Sequence, residues 1–224
     1  MSTDRTLILG IESSALPYGI VLLEDGQPIF YSPDHESLKT LKDVPALVEH
    51  AFAHTGRKAK ELTHIMVNQG PGGTSSIRSG VSFANSLGYS LKIPVAAVNA
   101  FELMGAAAEA RFNCPVLVTV KSIRGTAYGG WYANGELQHT LYGPLEEVIK
   151  SLVDTQAEFA VAGAHREVVT EMFPQRVIHD TGQKFGFASD LVHFLPSLAA
   201  RELMFPRYVL PLTEQSEIFE KVAL

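Results

Sequence analysis

The sequence lacks the features typical of secreted, membrane-spanning or nucleic-acid-binding proteins. Its 224 residues include one cysteine, Cys114, which excludes an internal disulfide and fits a reducing cytoplasm. No apolar run approaches the roughly 18 residues that a membrane helix needs, and the opening MSTDRTLILG does not resemble a signal peptide. The net charge of -6 argues against autonomous binding to RNA, whose phosphates require a basic surface. We therefore expect a cytoplasmic protein with no membrane association and no direct RNA contact of its own.

The composition is that of a folded globular protein, and the pattern of predicted strands occurs twice along the chain. Hydrophobic residues make up 46% and charged residues 19%, a globular balance. Apolar runs predict an opening set of three strands, and the second and third are joined by the hairpin signal Asp25-Gly26. A second set of three strands begins near Val116, with Asn134-Gly135 as its hairpin turn. Alternating helices and strands follow each set, and the last predicted helix runs from Ala188 to Met204.

This repeat predicts an α/β protein with an actin-like (ASKHA) fold of two related lobes, each a mixed sheet flanked by helices. The predicted lobes are residues 1–110 and 111–224, and the last helix is free to pack back on the first lobe. Because the two halves share no obvious sequence, the duplication rests on the element pattern alone.

The first long helical pattern is amphipathic. Pro45 lies inside it, so the helix either kinks there or begins near Asp43 as its cap. His50 and His54 share one face at metal-ligand spacing, but no glutamate lies between them and no third ligand is convincingly spaced. We therefore predict rim residues rather than a metal site. The apolar stripe consists of Leu38, Leu41, Val44, Leu47, Val48 and Phe52.

Two loops are candidates for binding phosphate. Gly70, Pro71, Gly72 and Gly73 lie between a predicted strand and a helix, where backbone N–H groups favour an anion. The loop lacks the Walker lysine and the dinucleotide glycine spacing, and a tight turn for close packing is the alternative.

The second candidate loop, formed by Glu12, Ser13 and Ser14, follows the first strand, where carboxylate and hydroxyl groups suit a hydrated metal or a phosphate. The same three residues also suit the simple end of a strand and the start of a turn.

An ordered series of motifs resembles the TsaB (YeaZ) family over roughly the first two-thirds of the chain. These motifs are ILGIESSALPYGIVLLEDG, then His35-Glu36-Ser37 with Pro45, then NQGPGGTSSIRSGVSFANSLGYSLKIPVAAVNAFELMG, and then Arg124-Gly125 with Tyr128. Two departures stand out. Gly73-Thr74-Ser75-Ser76 replaces the usual Ser-Phe-Thr-Gly, and Lys121 stands where an acid commonly precedes the Arg-Gly piece.

The resemblance implies a non-catalytic subunit that binds a TsaD-like enzyme and supports threonylcarbamoyl transfer to adenosine 37 of tRNA. It implies that the helix of the apolar stripe is the docking surface. A TsaE-like ATPase as a further partner and a homodimer when the chain is alone stay open, as does a nucleotide at a subunit interface. The catalytic relative carries two metal-binding histidines where this chain has Ala100 and Met104, so no metal or other cofactor is expected.

The competing hypothesis is an actin-like kinase or ATPase that uses both candidate loops on phosphates. An acid in the first turn of the second lobe would favour it, but Lys121 and Arg124 occupy that turn. A peptidase would need the metal motif that is missing.

Overall fold

The computed structural model describes residues 5–153 and 155–222, which form two compact units. The first unit contains residues 5–98 and 187–211, and the second contains residues 99–186 and 212–222. Each unit is built on one six-stranded mixed sheet. The chain therefore passes from the first unit to the second after Val98, returns at Phe187 and enters the second unit again after Pro211.

The first sheet has the strand order β11-β5-β4-β1-β2-β3. Strands β1, β2 and β3 are antiparallel neighbours, whereas β4 lies parallel to β1 and β5 parallel to β4. Their bounds are β1 Leu7–Glu12, β2 Gly19–Glu24, β3 Gln27–Tyr31, β4 His64–Asn68, β5 Val95–Val98 and β11 Glu202–Leu203. Almost every residue of β1, β2 and β4 is buried, so these strands form the centre of the unit.

Two helices, α1 (Val44–Thr55) and α2 (Thr74–Leu91), accompany this sheet. Helix α1 begins at its cap Asp43, whose Oδ1 accepts a hydrogen bond from the Ala46 N–H (2.9 Å), and Pro45 lies in its first turn. A proline in that turn has no helical hydrogen bond to lose. Of the two alternatives that Pro45 left open, the start near Asp43 is therefore the one observed.

The segment from Ala188 to Met204 does not form the single helix that we predicted. A 3-10 segment spans Ala188–Ser197, a short helix α6 spans Leu198–Arg201, and β11 follows. Pro196 lies within the 3-10 segment and has no N–H to continue an α-helical ladder. A methyl group added at Gly10 would lie 2.7 Å from Leu191 Cδ1, so this segment packs tightly against β1.

The second sheet has the order β10-β9-β6-β7-β8-β12. Its strands are β6 Val116–Lys121, β7 Thr126–Ala133, β8 Glu136–Pro144, β9 Glu158–Gly163, β10 Val177–Asp180 and β12 Glu220–Lys221. The helices of this unit are α3 Ala100–Phe112, α4 Leu145–Val153 and α5 Arg166–Met172. Phe101 and Met104 of α3 pack with Val116 and Val118 of β6. Helix α3 thus belongs to the second unit, and the boundary falls after Val98 rather than after residue 110.

The two sheets repeat one topology. The order β3-β2-β1-β4-β5 in the first matches β8-β7-β6-β9-β10 in the second, with antiparallel and parallel pairs in the same places. This confirms the predicted duplication and the actin-like fold. Within residues 5–153 and 155–222, no helix has the length and apolarity needed to cross a membrane.

Candidate functional site

The two candidate phosphate loops lie side by side in the first unit. They follow β1 and β4, which are parallel neighbours with Ile11 opposite Val67. The Gly73 N–H donates to the Ser14 carbonyl oxygen (3.1 Å), and the Ser13 hydroxyl donates to the Ser76 carbonyl oxygen (2.9 Å). The loops are therefore fastened to each other and to the start of α2.

Glu12 is the centre of this cluster and is only 2% exposed. Its Oε1 accepts from the Ser14 N–H (2.5 Å), and its Oε2 accepts from the Asn68 side-chain amide. The Asn68 Oδ1 in turn accepts from the Gly70 N–H (2.8 Å). Burial raises the pKa of the Glu12 carboxyl group above its ordinary value, against the opposing effect of these hydrogen bonds. Through these hydrogen bonds the Glu12 carboxylate joins the loop after β1 to the loop after β4.

Close backbone packing explains two glycines of the cluster. A Cβ atom added at Gly72 would lie 2.7 Å from Ser14 Cβ, and one added at Gly80 would lie 2.3 Å from the Ser13 hydroxyl oxygen. These separations are shorter than ordinary van der Waals contact. The tight-turn interpretation of the glycine loop therefore fits the geometry. Asn68 and Gly80 both belong to the quoted family motif, but the sequence did not reveal that Asn68 binds Glu12 or that Gly80 packs against Ser13.

The N-terminus of α2 keeps the anion hypothesis open. Its cap is Gly73, which provides no side-chain hydrogen bond to the helix. Thr74 and Ser75, the first two helical residues, are exposed. Free backbone N–H groups at such a terminus favour an anion. A phosphate contact at this loop stays a prediction.

The apolar stripe lies mostly inside the first unit. Leu38, Val44, Leu47 and Val48 are 0–6% exposed and belong to its hydrophobic core, while Leu41 and Phe52 are partly buried against that core. Leu38 and Leu41 precede α1, and Leu38 lies in a 3-10 turn over Glu36–Leu38. The stripe was predicted as a docking surface, yet its central side chains are fully used in holding α1 on the sheet.

An open apolar groove adjoins the outer part of this stripe. It has a volume of about 430 Å³ and runs between α1 and α2. Its lining consists of Pro45, Val48, Glu49, Phe52, Ala53, Arg57, Ala59, Phe83 and Leu87. Of the six stripe residues, Val48 and Phe52 line this groove.

The histidines of α1 do not pair with each other. The His54 ring lies 4.8 Å from the ring of His35, which stacks on Phe30 at 4.8 Å. His35 precedes α1 by nine residues, so helical spacing could not reveal the contact. In the part of the chain that the structure describes, no group of three or more histidine, cysteine, aspartate or glutamate side chains could hold a metal ion.

The family model described as "TsaD: tRNA N6-adenosine threonylcarbamoyltransferase" matches residues 32–205, well over half of the chain.

The chain belongs to the TsaD family.

Within the TsaD family, the chain resembles the TsaB (YeaZ) type. It is 30% identical over 140 residues to the tRNA threonylcarbamoyladenosine biosynthesis protein TsaB of Bacillus subtilis, covering 60% of this chain and 59% of that protein. It is 31% identical over 112 residues to the tRNA N6-adenosine threonylcarbamoyltransferase of Caldicellulosiruptor bescii, covering 43% of this chain and 33% of that protein. The chain thus spans under two thirds of these relatives' lengths.

The fold of TsaB-type members is also that of this chain. YeaZ from Pseudomonas aeruginosa superposes with a TM-score of 0.76 at 20% identity, covering 93% of this chain and 99% of that one. At this identity the likeness establishes the fold alone.

Helix α3 contains Ala100 and Met104, the two positions that the family resemblance aligns with metal-binding histidines of the catalytic relative. Ala100 and Met104 are 2% and 1% exposed and pack in the core of the second unit. The helix starts with a capping box in which Asn99 Oδ1 accepts from the Glu102 N–H (2.8 Å) and Glu102 Oε2 accepts from the Asn99 N–H (3.1 Å). The residues at this helix start therefore serve packing and capping.

Proposed function

We propose that the chain is a non-catalytic subunit that binds a TsaD-like enzyme and supports threonylcarbamoyl transfer to adenosine 37 of tRNA. Membership of the TsaD family and likeness to a TsaB protein support the pathway. A methyl group at Ala100 and a buried thioether at Met104 in place of two imidazoles support the accessory role. The net charge of -6 supports contact with tRNA through the partner rather than directly.

The observation that carries the proposal is the groove between α1 and α2. Its floor is apolar, with Val48 and Phe52 from α1 and Phe83 and Leu87 from α2. An apolar side chain from a partner helix would leave water on entering it, at about 25 cal/mol per Å² of buried apolar surface before ordering costs. The groove thus replaces the whole stripe as the proposed docking surface.

Charged groups at the groove suit a helix-in-groove contact. Glu49 is exposed, and Arg57 is held by Glu24 through an ion pair of 2.8 Å. A partner helix that carried apolar anchors with flanking polar groups would match an apolar floor beside these charges.

The test compares two substitutions on the exposed side of α1. Ala53→Arg places a long cation in the groove without touching the core, and His50→Arg makes the same addition outside the groove lining. Each variant is mixed with the TsaD-like protein of the same organism and tRNA, and transfer of labelled threonylcarbamoyl is measured. The chain alone is expected to show no transfer, and wild type and His50→Arg to stimulate the partner. Ala53→Arg is expected to lose at least ten-fold of the stimulation.

Two outcomes would oppose this proposal. Transfer by the chain without its partner would make it an enzyme, and unchanged stimulation by Ala53→Arg would move the interface elsewhere. Sedimentation of the chain alone shows whether it forms a homodimer, and adding a TsaE-like ATPase shows whether a third component is needed.

The alternative kinase or ATPase receives less support. Both Glu12 oxygens have donors within the protein, and Lys121 and Arg124 occupy the corresponding turn of the second unit. Glu12 is buried and the turn of the second unit contains no acid, so neither turn presents an exposed carboxylate for Mg²⁺.

A further inference from the structure

The first unit carries a cluster of exposed aromatic side chains beside the C-terminal end of α2. The rings of Tyr89 and Phe205 lie 5.0 Å apart, and those of Phe205 and Tyr208 lie 5.9 Å apart. Tyr89 is 60% exposed, Phe205 59% and Tyr208 45%, and the same segment also exposes Met204 and Leu210. We call these five residues the aromatic patch. Large apolar side chains that are gathered on a surface, rather than scattered singly, mark an interaction site.

The segment that carries most of this patch is held in place at both ends. Directly before it, β11 pairs with β5. Near its other end Val209 is buried in the core, and Asn85 of α2 donates to the Val209 carbonyl oxygen (3.0 Å) and accepts from its N–H (3.1 Å). Between these anchors the Arg207 N–H donates to the Met204 carbonyl oxygen (2.9 Å). A partner would therefore have little backbone to order on binding.

Two cations without partners accompany the patch. The Lys92 N–H donates to the Tyr89 carbonyl oxygen (3.3 Å), and Arg207 directly precedes Tyr208 in the chain. The side chains of Lys92 and Arg207 are exposed, and neither makes an ion pair or a hydrogen bond among the residues that the structure describes.

Acidic residues are missing from the elements that form the patch. The chain has 24 aspartate and glutamate residues, yet none lies in α2 or between residues 203 and 213. Glu202, directly before this segment, is paired with His64 (3.1 Å). In a chain of net charge -6, the patch is therefore an apolar surface with positive charge, and it complements a partner of negative charge.

The area of the patch favours a short segment over a second copy of the chain. An aromatic side chain has about 150–250 Å² of surface, so three rings that are about half exposed present roughly 300 Å². A stable interface between two proteins buries about 800 Å² on each of them. The patch is too small for such an interface by itself, but it is large enough to cover one or two apolar anchors of a peptide.

We propose that the aromatic patch is a docking site for a short acidic segment of another protein. The segment places one or two aromatic or leucine side chains on the exposed rings, and its carboxylates lie beside Arg207 and Lys92. None of the five patch residues lines the groove between α1 and α2. The proposal therefore does not depend on the TsaD-like partner.

The test is selection from a random peptide library displayed on phage, with the full chain as the target. Peptides that also bind the variant Phe205→Ser are removed, because they bind elsewhere. The remaining peptides are expected to carry a net negative charge and at least one aromatic or leucine residue. Remaining peptides that are neutral or basic, or a selection that leaves none, would overturn the proposal.

Matched variants then test the site with the most frequent peptide, synthesised with a fluorescent label and measured by anisotropy. Tyr89→Ala should weaken its binding at least about five-fold, and Arg207→Glu, which reverses a charge, at least about ten-fold. Ile123→Ala removes an exposed apolar side chain of the second unit and should change binding less than about two-fold. Equal losses for Tyr89→Ala and Ile123→Ala, with all variants folded by thermal unfolding, would contradict the site.

Two further measurements address other occupants of the patch. Oligouridylate should not displace the peptide, and displacement at a lower concentration than that of unlabelled peptide would assign the patch to RNA. Sedimentation of wild type and Phe205→Ser should show the same oligomeric state. Self-association that is lost in Phe205→Ser would assign the patch to a second copy and overturn the proposal.

Discussion

Glu12 and Lys121 end the first strands of two sheets that share one strand order, and their surroundings differ in kind. Glu12 is buried and both its oxygens accept hydrogen bonds from neighbouring loops. Lys121 is exposed and makes no ion pair or hydrogen bond within the described residues. The two sheets share one topology, but the residues at their strand ends differ. The end of β1 carries a buried carboxylate that joins two loops, whereas the end of β6 carries an exposed cation.

The largest expected effect comes from removing the brace in the first unit. Asn68→Leu takes the donor from Glu12 Oε2 and the acceptor from the Gly70 N–H, so two buried groups lose their partners. We expect a loss of about 3 kcal/mol in the free energy of unfolding, measured by urea denaturation at pH 7. The matched change in the second unit, Thr119→Val, removes one neutral hydrogen bond and should cost only about 1 kcal/mol. Equal losses would remove the contrast between the two strand ends.

A steric change at the same brace should have the next largest effect. Gly80→Ala would normally stabilise a helix by up to about 1 kcal/mol, but here the new methyl group meets the Ser13 hydroxyl. We expect a loss of about 1–3 kcal/mol instead.

The cause of that loss can be checked by a double-mutant cycle with Ser13→Gly, which removes the clash, so the two losses should not add. Ser79→Ala, on the exposed side of α2, is the control and should change stability by less than about 0.5 kcal/mol. Additive losses would show that the clash is not the cause.

A smaller effect on the free energy of unfolding is expected from the change in protonation of Glu12 with pH. Its folded-state pKa is raised above 4.5, so the folded protein binds the proton more tightly than the unfolded chain. This contribution to stability is fully present below pH 4.5 and is lost as pH rises through the raised pKa. Glu12→Gln cannot titrate, so the wild-type free energy of unfolding minus that of the variant should fall as pH rises from about 4 to 8. A difference that rises with pH would mean that hydrogen bonds to the carboxylate outweigh its burial.

The smallest effect is expected at the exposed strand end. Lys121→Met removes a cation that makes no ion pair among the described residues. The free energy of unfolding, measured by thermal denaturation, should therefore change by less than about 0.5 kcal/mol. A loss comparable to that of Asn68→Leu would show that Lys121 is also structural.

The sequence predicted the repeated strand sets because local signals determine them. Asp25-Gly26 and Asn134-Gly135 have positive φ at their turns, as the hairpin signal requires. The 3-10 segment and β11 were missed because they depend on packing against the first sheet, a contact between residues far apart in sequence. The two-residue strand β12, which pairs with β8, was missed for the same reason.

The candidate site was predicted only in part. Glu12 and the glycine loop were recognised as neighbours of strand ends, but Asn68, which links them, lies 56 residues from Glu12. The spacing of the stripe residues predicted an apolar face on the helix but not which of them contact the sheet. In the structure Leu47 is fully buried, whereas Phe52 lines the groove. The His35–His54 contact arises from tertiary packing and leaves no periodic signal.

The most direct test of the proposed function is hydrogen–deuterium exchange of the chain with and without its TsaD-like partner. If the groove is the docking surface, amides of α1 and of the Phe83–Leu87 turn of α2 should exchange at least ten-fold more slowly in the complex. Exchange in the β6–β7 turn around Lys121 should stay unchanged. Protection confined to the second unit, or unaltered exchange in α1 and α2 of a purified complex, would contradict the account.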